Sequence, residues 1–525
     1  MNKVFLKFSK GRTFLVLTDL GMLRISDTPY FLFFEKDKML AYFDIDNATE
    51  KTSFYAFPKK ETLEKSNIEF RYYHILLIQE LEAKKFFYQK VLPLFKNFVK
   101  NEVDFLILIE KIPEFDSTVI DTVHKISSVF YNTYSKKALP VSYCPFNYSI
   151  LPFSAEKSHK FILSLGNSRN FTISYLKNGE INISPNFGEL DNLYELETME
   201  YTIASLIEKE NKEYLVVQEQ DNYSVVNEFA SRFTKFKKVK SVSHIFSHFA
   251  NLLYDNKIID ENVLCILFDN ISYNSEDEIM GGEILYGNLK EMKIAGRWKP
   301  LPLPGGDIAN IEPWRIALGT LKEITSENLE NLDLPIVKNV KDNPHHSYIF
   351  NAINQKIVSY SLSSSMHHIL AAIGELLFFE DSLKNFDYFE LLVETSIENN
   401  SKEFKDLSIS KKEDVYIIDT YQLFKKILQD IFSGRKKKAI FENVLSSLVY
   451  NTLELIERLS KEYNTKKVGL TGEIFKHSHI LNVFTQRLEK EGYEVLLPVN
   501  IPLDDSAISV GQIIYTYYNT NSENQ

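Results

Sequence analysis

The sequence predicts an α/β fold in which a small α+β domain precedes a larger α/β domain. Short apolar runs separated by turn residues occupy residues 1 to about 50, a pattern typical of strands, whereas helical spacing dominates the second half of the chain. The chain has 525 residues, 44% of them hydrophobic and 13% aromatic. That is enough apolar material for two or three domains with cores of their own.

The first third of the chain predicts the smaller domain. The apolar runs up to about residue 50 predict an antiparallel sheet. Spacing near 3.6 from Arg71 to Lys100 then predicts a long helix, bent at Pro93 because proline lacks an N–H group. A buried strand is expected at Phe105–Ile109. We expect residues 1–137 to form this domain, and residues 138–158, with three prolines, to be a linker.

The remainder, residues 159–525, is expected to be one domain of two lobes. Three strands followed by alternating helix and strand predict an RNase-H-like first lobe, and the apolar strand Val263–Phe268 opens a second lobe whose later part is helical. The helices predicted in the second lobe are Ser347–Ser361, Met366–Phe379, Thr420–Phe432 and Ala439–Tyr463.

Charge and cysteine content exclude several classes of protein. A formal net charge of −11, with only two short basic runs at Lys235–Lys240 and Arg435–Lys438, argues against a nucleic-acid or anionic-membrane partner. The two cysteines, Cys144 and Cys265, form no CxxC pair, which excludes a zinc ribbon and a disulfide framework. Reduced thiols and the lack of a signal-like or bilayer-length apolar run predict a cytoplasmic protein.

A long ordered motif, LPGGDIANIEPWRIAL, covers Leu303–Leu318. Its two glycines permit a turn with positive φ, the aspartate can cap the helix that follows, and the proline suits a first helical turn. The tryptophan is expected to be buried, and the arginine to pair with a carboxylate. The residues of this signature are Gly305, Gly306, Asp307, Glu312, Pro313, Trp314 and Arg315.

This signature resembles the LPGGDxAxxEPWRxAL pattern of the HypF-type carbamoyltransferases, which mature nickel–iron hydrogenases. Gly281–Glu283, Leu470–Gly472 and Leu503–Asp505 resemble further motifs of that family in the same order, so the resemblance covers about residues 138–525. It implies a two-lobed, actin-like architecture and contacts to ATP or carbamoyl-adenylate. The nucleotide-contacting residues it implies are Arg169, Asn170, Asp269, Gly281, Gly282, Glu283 and Gly472.

A metal site is predicted from two histidines and one aspartate. His244 and His248 are spaced i,i+4, which places both imidazoles on one face of a helix. The spacing alone is equally compatible with two helix-face histidines. The resemblance places this pair where the family has metal ligands and makes Asp505 the third. Such a ligand set suits Fe(II) or Zn(II) as a Lewis acid, holding carbamoyl-adenylate while the carbamoyl group moves to a partner's cysteine.

Other positions depart from the family pattern. The segment from Asp269 to Gly281 lacks the family's glycines and carries acidic residues, which make a poor phosphate cradle. His367 and His368 stand in the segment where the family has SSxGRLFDA, and are expected to be surface or helix-packing residues. Residues 1–137 show no recognisable acylphosphatase or YrdC-like motif and are either a reduced YrdC-like remnant or an unrelated domain, so the chain alone would not make carbamoyl-adenylate.

Two functions therefore compete. One is a divergent carbamoyltransferase that keeps the metal triad and accepts carbamoyl-adenylate made elsewhere, with a hydrogenase-maturation protein carrying the acceptor cysteine as partner. The other is a non-enzymatic binding or scaffold subunit in hydrogenase assembly, paired with a complete HypF. Carbamoylation of a tRNA or a natural product is a third function, which the acidic charge and the signature disfavour.

Overall fold

The computed structural model divides the chain into two compact units. Unit 1 comprises residues 1–257 and 498–525, and unit 2 comprises residues 258–497. Before residue 149 the structure describes only the strands, and from there to residue 519 it describes most of the chain. The stretches it leaves out after residue 149 are 154–160, 185, 187–189, 191–198, 201–202, 204–214, 222–223, 233–237, 275, 326, 383–405 and 520–525.

The N-terminal part of unit 1 contributes two sheets. Strands β1 (Phe5–Phe8), β2 (Phe14–Thr18) and β3 (Gly21–Ile25) form an antiparallel sheet, as the apolar runs predict. A seven-stranded sheet has the order β10-β9-β5-β6-β4-β8-β7. Its strands are β4 (Tyr30–Phe33), β5 (Ser53–Ala56), β6 (Tyr73–Leu77), β7 (Phe98–Lys100), β8 (Phe105–Leu108), β9 (Ser127–Asn132) and β10 (Lys137–Tyr143).

The helix predicted over Arg71–Lys100 is wrong at both of its ends, because β6 and β7 lie there. Tyr73–Leu77 reads YHILL, and a short apolar run is compatible with either period. Its partners decide: β6 pairs parallel with β4 and antiparallel with β5. Strand β10 also lies largely within residues 138–158, so that stretch contains regular structure, and the linker and domain boundaries there stay predictions.

The lobe that follows in unit 1 is built on a six-stranded sheet of order β11-β14-β13-β12-β15-β16. Strands β12, β13 and β14 are antiparallel, and β15 and β16 extend the sheet in parallel. The elements are β11 (Ser149–Pro152), β12 (Ile162–Ser164), β13 (Ser174–Lys177), β14 (Glu180–Ile183), β15 (Leu215–Glu219), α1 (Val225–Arg232), β16 (Lys238–Val242) and α2 (His244–Asp255). The sequence predicts all of these in kind except β11, which lies in the expected linker, and β16, which begins in the basic run.

Unit 2 has a mixed sheet of order β22-β23-β19-β18-β17-β24-β25, with β20 and β21 beside it. The strands are β17 (Val263–Tyr273), β18 (Ile279–Gly287), β19 (Met292–Trp298), β20 (Leu301–Pro304), β21 (Tyr360–Ser363), β22 (Ile409–Lys412), β23 (Val415–Ile418), β24 (Lys467–Thr471) and β25 (Glu494–Leu496). The helices are α3 (Ile308–Ile311), α4 (Trp314–Thr325), α5 (Pro335–Asp342), α6 (Ser347–Asn354), α7 (Met366–Ser382), α8 (Thr420–Phe432), α9 (Lys437–Tyr463) and α10 (Ser478–Lys490).

The core of unit 2 lies against the central strand β17. The Phe268 ring stacks on Phe475 and meets Phe484 edge-on, each with centroids 5.6 Å apart. Burial of such apolar faces by α7 and α9 explains why the helical pattern predicts these two elements well. The helix predicted over Ser347–Ser361 is wrong at its end: α6 stops at Asn354, and Tyr360–Ser363 is β21, which pairs with β20. In the described part of the chain, no helix is long and apolar enough to cross a bilayer.

The signature motif forms a turn and a helix start. Gly305 and Gly306 adopt φ of +89° and +65°, as a glycine turn requires. Arg315 is buried and donates from Nε to Glu312 at 2.6 Å, which confirms the predicted pairing with a carboxylate. Asp307 stands at the N-cap of α3 but makes no side-chain capping bond, so the predicted cap is wrong; instead it accepts from the Tyr273 hydroxyl.

The end of the chain returns to unit 1. A 3-10 turn, Asp505–Ala507, leads into α11 (Ile508–Asn519), which packs on α2. Their closest approach is at Gly511, where an added Cβ would overlap the backbone of Ser247. The turn is tied to α2 by Asn251, whose Nδ2 donates to the Ala507 carbonyl at 2.8 Å. This packing determines where Asp505 lies relative to α2.

Candidate functional site

Two adjacent strand ends in unit 1 bring a carboxylate beside a histidine. Strands β15 and β16 are parallel, with Glu219 opposite Val242. Helix α2 begins two residues later at His244, after the N-cap residue Ser243. Because parallel strands end at the same edge of a sheet, Glu219 and the first turn of α2 lie together. Nδ1 of His244 contacts Oε1 of Glu219.

The two predicted histidine ligands and the predicted aspartate meet at one point. Nε2 of His244 lies 3.2 Å from Nε2 of His248, as their i,i+4 spacing on α2 predicts. Asp505 Oδ1 lies 3.3 Å from the first of these nitrogens and 3.4 Å from the second. The three residues are 0–2% exposed. The structure therefore brings His244, His248 and Asp505 into a buried triangle of donor atoms that could hold a metal ion.

Glu219 completes the cluster from the other side of His244. It is 7% exposed, and burial raises the pKa of its carboxyl group, an effect that the neighbouring His244 opposes. The Asp505 carboxylate raises this pKa further. Two carboxylates thus flank two imidazoles in a site with little access to water.

The turn that carries Asp505 is held by its own hydrogen bonds. The side chain of Asp504 caps it by accepting from the Ser506 backbone N–H at 3.1 Å. Further along the chain, Gln512 on α11 accepts from the Ser164 hydroxyl at 2.6 Å, which ties that helix to the end of β12. Asp505 therefore approaches the two histidines from a braced segment.

Most of the predicted nucleotide-contacting residues lie together in unit 2. Gly281 and Gly472 adopt φ of +141° and +102°, and a Cβ at either would come within 2.8 Å of the backbone of Asp269 or Phe268. A Cβ on Gly282 would overlap the carbonyl oxygen of Ser364. Asp269 itself is buried and accepts from the Glu473 backbone N–H at 3.0 Å. Close packing of β17, β18 and β24 is therefore a sufficient reason for these glycines.

Glu283 has a full set of hydrogen bonds within unit 2. Its Oε2 accepts from the backbone N–H groups of Gly281 at 2.5 Å and Gly282 at 2.8 Å, and its Oε1 accepts from the Ser364 hydroxyl. Burial raises the pKa of this carboxyl group, and these hydrogen bonds oppose the shift. The residue joins the start of β18 to the segment after β21.

Arg169 and Asn170 belong to unit 1, in the loop after β12. Their backbone N–H groups both donate to Oδ1 of Asn167 at 3.1 Å, which shapes the loop. Both side chains are half-buried. The role predicted for these two residues in nucleotide contact remains a prediction.

Sequence reasoning missed several polar residues around both clusters. Glu219 ends an ordinary apolar strand and carries no motif, so only the register of β15 with β16 reveals it. In unit 2, Asn270 donates to the Glu473 side chain, which also pairs with Lys476 at 2.8 Å. His368, expected on the surface or in helix packing, is buried and bonds through Nδ1 to the Ser363 hydroxyl at 2.7 Å.

Comparison with known proteins agrees with this fold. Residues 265–512 match the HypF family model described as the carbamoyltransferase Kae1-like domain, second subdomain. The carbamoyltransferase HypF of Synechocystis is 24% identical over 384 residues, covering 70% of this chain and 48% of that protein. The probable carbamoyltransferase HypF of Methanocaldococcus jannaschii is 24% identical over 273 residues, covering 52% of this chain and 34% of that protein. The chain thus spans about half or less of the length of these relatives.

Solved structures extend the likeness beyond the matched domain. A full-length HypF in its phosphate- and nucleotide-bound form superposes with a TM-score of 0.72 at 19% identity, covering 98% of this chain and 84% of that one. The HypF of T. kodakarensis superposes with a TM-score of 0.70 at 15% identity, covering 94% of this chain and 67% of that one. At these identities the likeness shows the fold, and it confirms the predicted α/β class. The chain is similar in sequence to the HypF-type carbamoyltransferases, mainly to their C-terminal part, and shares their fold.

Proposed function

We propose that the chain is a divergent HypF-like carbamoyltransferase of nickel–iron hydrogenase maturation. It transfers a carbamoyl group from carbamoyl-adenylate to the cysteine of a partner protein, at a metal site formed by His244, His248 and Asp505. The observation that carries the proposal is the convergence of three buried donor atoms on one point in unit 1. The names of the relatives supply the reaction class.

The hydrogen-bonding groups of the cluster suit a cation. An ionised carboxylate only accepts hydrogen bonds, so Glu219 accepts one from the Nδ1–H group of His244. In the neutral imidazole this leaves a lone pair on Nε2. This lone pair faces Oδ1 of Asp505, which is also an acceptor. Protonating both Nε2 atoms instead would place two N–H groups face to face at 3.2 Å. A divalent cation removes both conflicts and balances the two carboxylates of the cluster.

The spacing of the three atoms suits a first-row metal ion. Bonds of about 2.0–2.1 Å in tetrahedral geometry separate two ligand atoms by about 3.3–3.4 Å. The observed separations of 3.2, 3.3 and 3.4 Å agree with that value. Two imidazoles and one carboxylate suit both Zn(II) and Fe(II), and three protein ligands leave further positions open.

The metal would supply Lewis acidity to the carbamoyl oxygen of the donor. The residues of the chain orient and shield that position: α2 holds the two imidazoles at fixed spacing, and the braced turn presents Asp505. In the reaction a cysteine thiolate forms a C–S bond to the carbamoyl carbon while the C–O bond to the phosphate breaks. The leaving group is AMP, which takes the electron pair.

The proposed donor is carbamoyl-adenylate. Asp269, Gly281, Gly282, Glu283 and Gly472 are the proposed contacts for its nucleotide in unit 2. Arg169 and Asn170 are the proposed contacts in unit 1. The solved structure of a full-length HypF in its phosphate- and nucleotide-bound form supports nucleotide binding on this fold.

One observation favours the second candidate function, a non-enzymatic binding or scaffold subunit that pairs with a complete HypF. In unit 2 the Asn270 side chain bonds to Glu473, and Glu473 pairs with Lys476 at 2.8 Å. The chain thus places its own side chains, among them the half-buried Glu473 carboxylate, where the pairing of β17 with β24 ends. Phosphate binding at that edge of the sheet would be opposed by the carboxylate.

Calorimetric titration with a non-hydrolysable carbamoyl-adenylate analogue separates the two functions. The carbamoyltransferase predicts saturable binding by the zinc-loaded protein, weakened at least tenfold in Asp505→Asn. The matched control is Glu228→Gln, which changes an exposed carboxylate on α1 that is not a proposed ligand. Absence of binding by a zinc-loaded, folded protein contradicts the enzyme and leaves the scaffold.

A further inference from the structure

We propose that Glu219 is a positioning residue for the metal site, acting through His244. The inference rests on the proposed function, because it assigns a new role at the same metal centre. Glu219 lies on the Nδ1 side of the imidazole, away from the Nε2 atom that faces His248 and Asp505. Glu219 is therefore not a proposed metal ligand; it contacts the opposite side of the His244 ring.

Contact with a carboxylate determines which ring nitrogen carries the proton. Because Glu219 accepts from Nδ1, the lone pair of His244 is placed on Nε2, directed at the centre of the triangle. The same contact fixes the orientation of the His244 ring. Without it, the ring would have to be ordered when the metal binds. Hydrogen-bonded carboxylates behind metal-ligating histidines also make the imidazole a stronger ligand.

The backbone around Glu219 is restrained in a way that suits this role. The Gln220 N–H donates to the Val242 carbonyl at 3.1 Å, which keeps the ends of β15 and β16 in register. Asn227 on α1 donates from Nδ2 to the carbonyl oxygens of Glu219 at 2.8 Å and Asp221 at 2.5 Å. The Glu219 side chain thus projects from a segment held on both sides and reaches His244 without a change in the backbone.

The burial of Glu219 is a second reason to assign it a positioning role. A carboxylate that is 7% exposed loses most of its hydration, a cost that a purely structural position would avoid with an apolar residue. The contacts to His244 offset part of this cost, and a cation bound at Nε2 offsets more, because it makes Nδ1–H a stronger donor. The placement of this charge is explained by the function of the imidazole it touches.

The test compares zinc affinity with the stability of the metal-free protein. Glu219→Met keeps bulk and removes the acceptor, whereas Glu219→Gln keeps an acceptor oxygen. Glu228→Gln is the matched control, since Glu228 is an exposed glutamate on α1. Zinc affinity is measured by competition with a chromophoric chelator, and melting temperatures are measured in EDTA.

We expect Glu219→Met to weaken zinc binding by about 10- to 100-fold, with a smaller loss in Glu219→Gln and none in the control. The metal-free melting temperature of Glu219→Met should equal that of the wild type or exceed it. Zinc affinity within threefold of wild type in Glu219→Met overturns the positioning role, as does an equal loss in the Met and Gln variants. If the wild-type protein itself binds no zinc, the proposed metal site fails instead.

Discussion

Gly511→Ala perturbs the candidate metal site without changing any of its ligands. Helix α11 approaches α2 at this glycine, and an added Cβ would lie 2.6 Å from the carbonyl carbon of Ser247 and 2.9 Å from its Cα. Ordinary contact begins at about 3.4 Å, so α11 must retreat by about 0.8 Å or more. The obstacle is backbone, which cannot turn away as a flexible side chain can.

Two opposing terms determine the change in stability. Alanine gains about 1 kcal/mol of helix propensity over glycine, whereas overpacking of this kind costs about 1–3 kcal/mol. We expect the free energy of unfolding of the metal-free protein, measured in urea, to fall by up to about 2 kcal/mol.

The effect on the metal site is the more specific one. Asp505 lies just before α11, and the distances that metal ligation requires hold to within about 0.2 Å. A retreat of α11 therefore separates Asp505 from the two histidines, and zinc affinity should fall at least tenfold. Gly434→Ala is the control, because it also places alanine at a former glycine, here at φ +77° in unit 2, where the added Cβ meets no neighbouring atom. If Gly511→Ala keeps both the stability and the zinc affinity of the wild type, the packing of α11 on α2 does not place Asp505.

Three further predictions follow from buried groups in unit 2. Burial lowers the pKa of His477 from 6.5 to about 4, so the unfolded state binds this proton first as the pH falls. The free energy of unfolding should then decrease from about pH 6.5 towards pH 4, less steeply in His477→Gln; equal slopes in urea titrations would exclude this contribution. Glu283→Met leaves the N–H groups of Gly281 and Gly282 without their acceptor and should cost about 1–3 kcal/mol in urea unfolding, whereas a neutral outcome would show that the hydrogen bonds of Glu283 are dispensable. Cys265 is buried and its pKa is raised by burial, so iodoacetamide should modify it only after unfolding; rapid labelling of the native protein, seen by mass spectrometry, would contradict its burial.

Much of the fold could be predicted because its elements carry strong local patterns. Helix α8 begins and ends where the sequence predicts, since an amphipathic stripe follows the capping residue Asp419. The region of β6 shows the opposite case. Its short apolar run fits either period, and only pairing with β4 and β5, distant in sequence, makes it a strand.

Some residues of the candidate site could be predicted from local spacing, and others could not. The i,i+4 spacing of His244 and His248 predicts their proximity from local geometry alone. Asp505 lies more than 250 residues away and could be placed only by resemblance to a family motif, while Glu219 has no motif and depends on strand register. Long-range packing, such as that of α11 on α2, is not encoded in any short pattern.

The glycines of unit 2 show a further limit of sequence reasoning. Gly281, Gly282 and Gly472 match nucleotide-binding motifs, yet each is also required by close backbone contact within the sheet or beside it. A retained glycine at these positions therefore does not distinguish nucleotide binding from packing. Binding measurements on the intact chain have to decide between them.

The central claim is that His244, His248 and Asp505 hold one metal ion, and metal analysis of the purified protein tests it most directly. Elemental analysis after dialysis should find close to one equivalent of iron or zinc in the wild type. The double variant His244→Ala/His248→Ala should lose it, while His345→Ala, which removes an exposed histidine of unit 2, should retain it. A metal-free wild type that also binds no added zinc or iron, or a double variant with as much metal as the wild type, would contradict the claim.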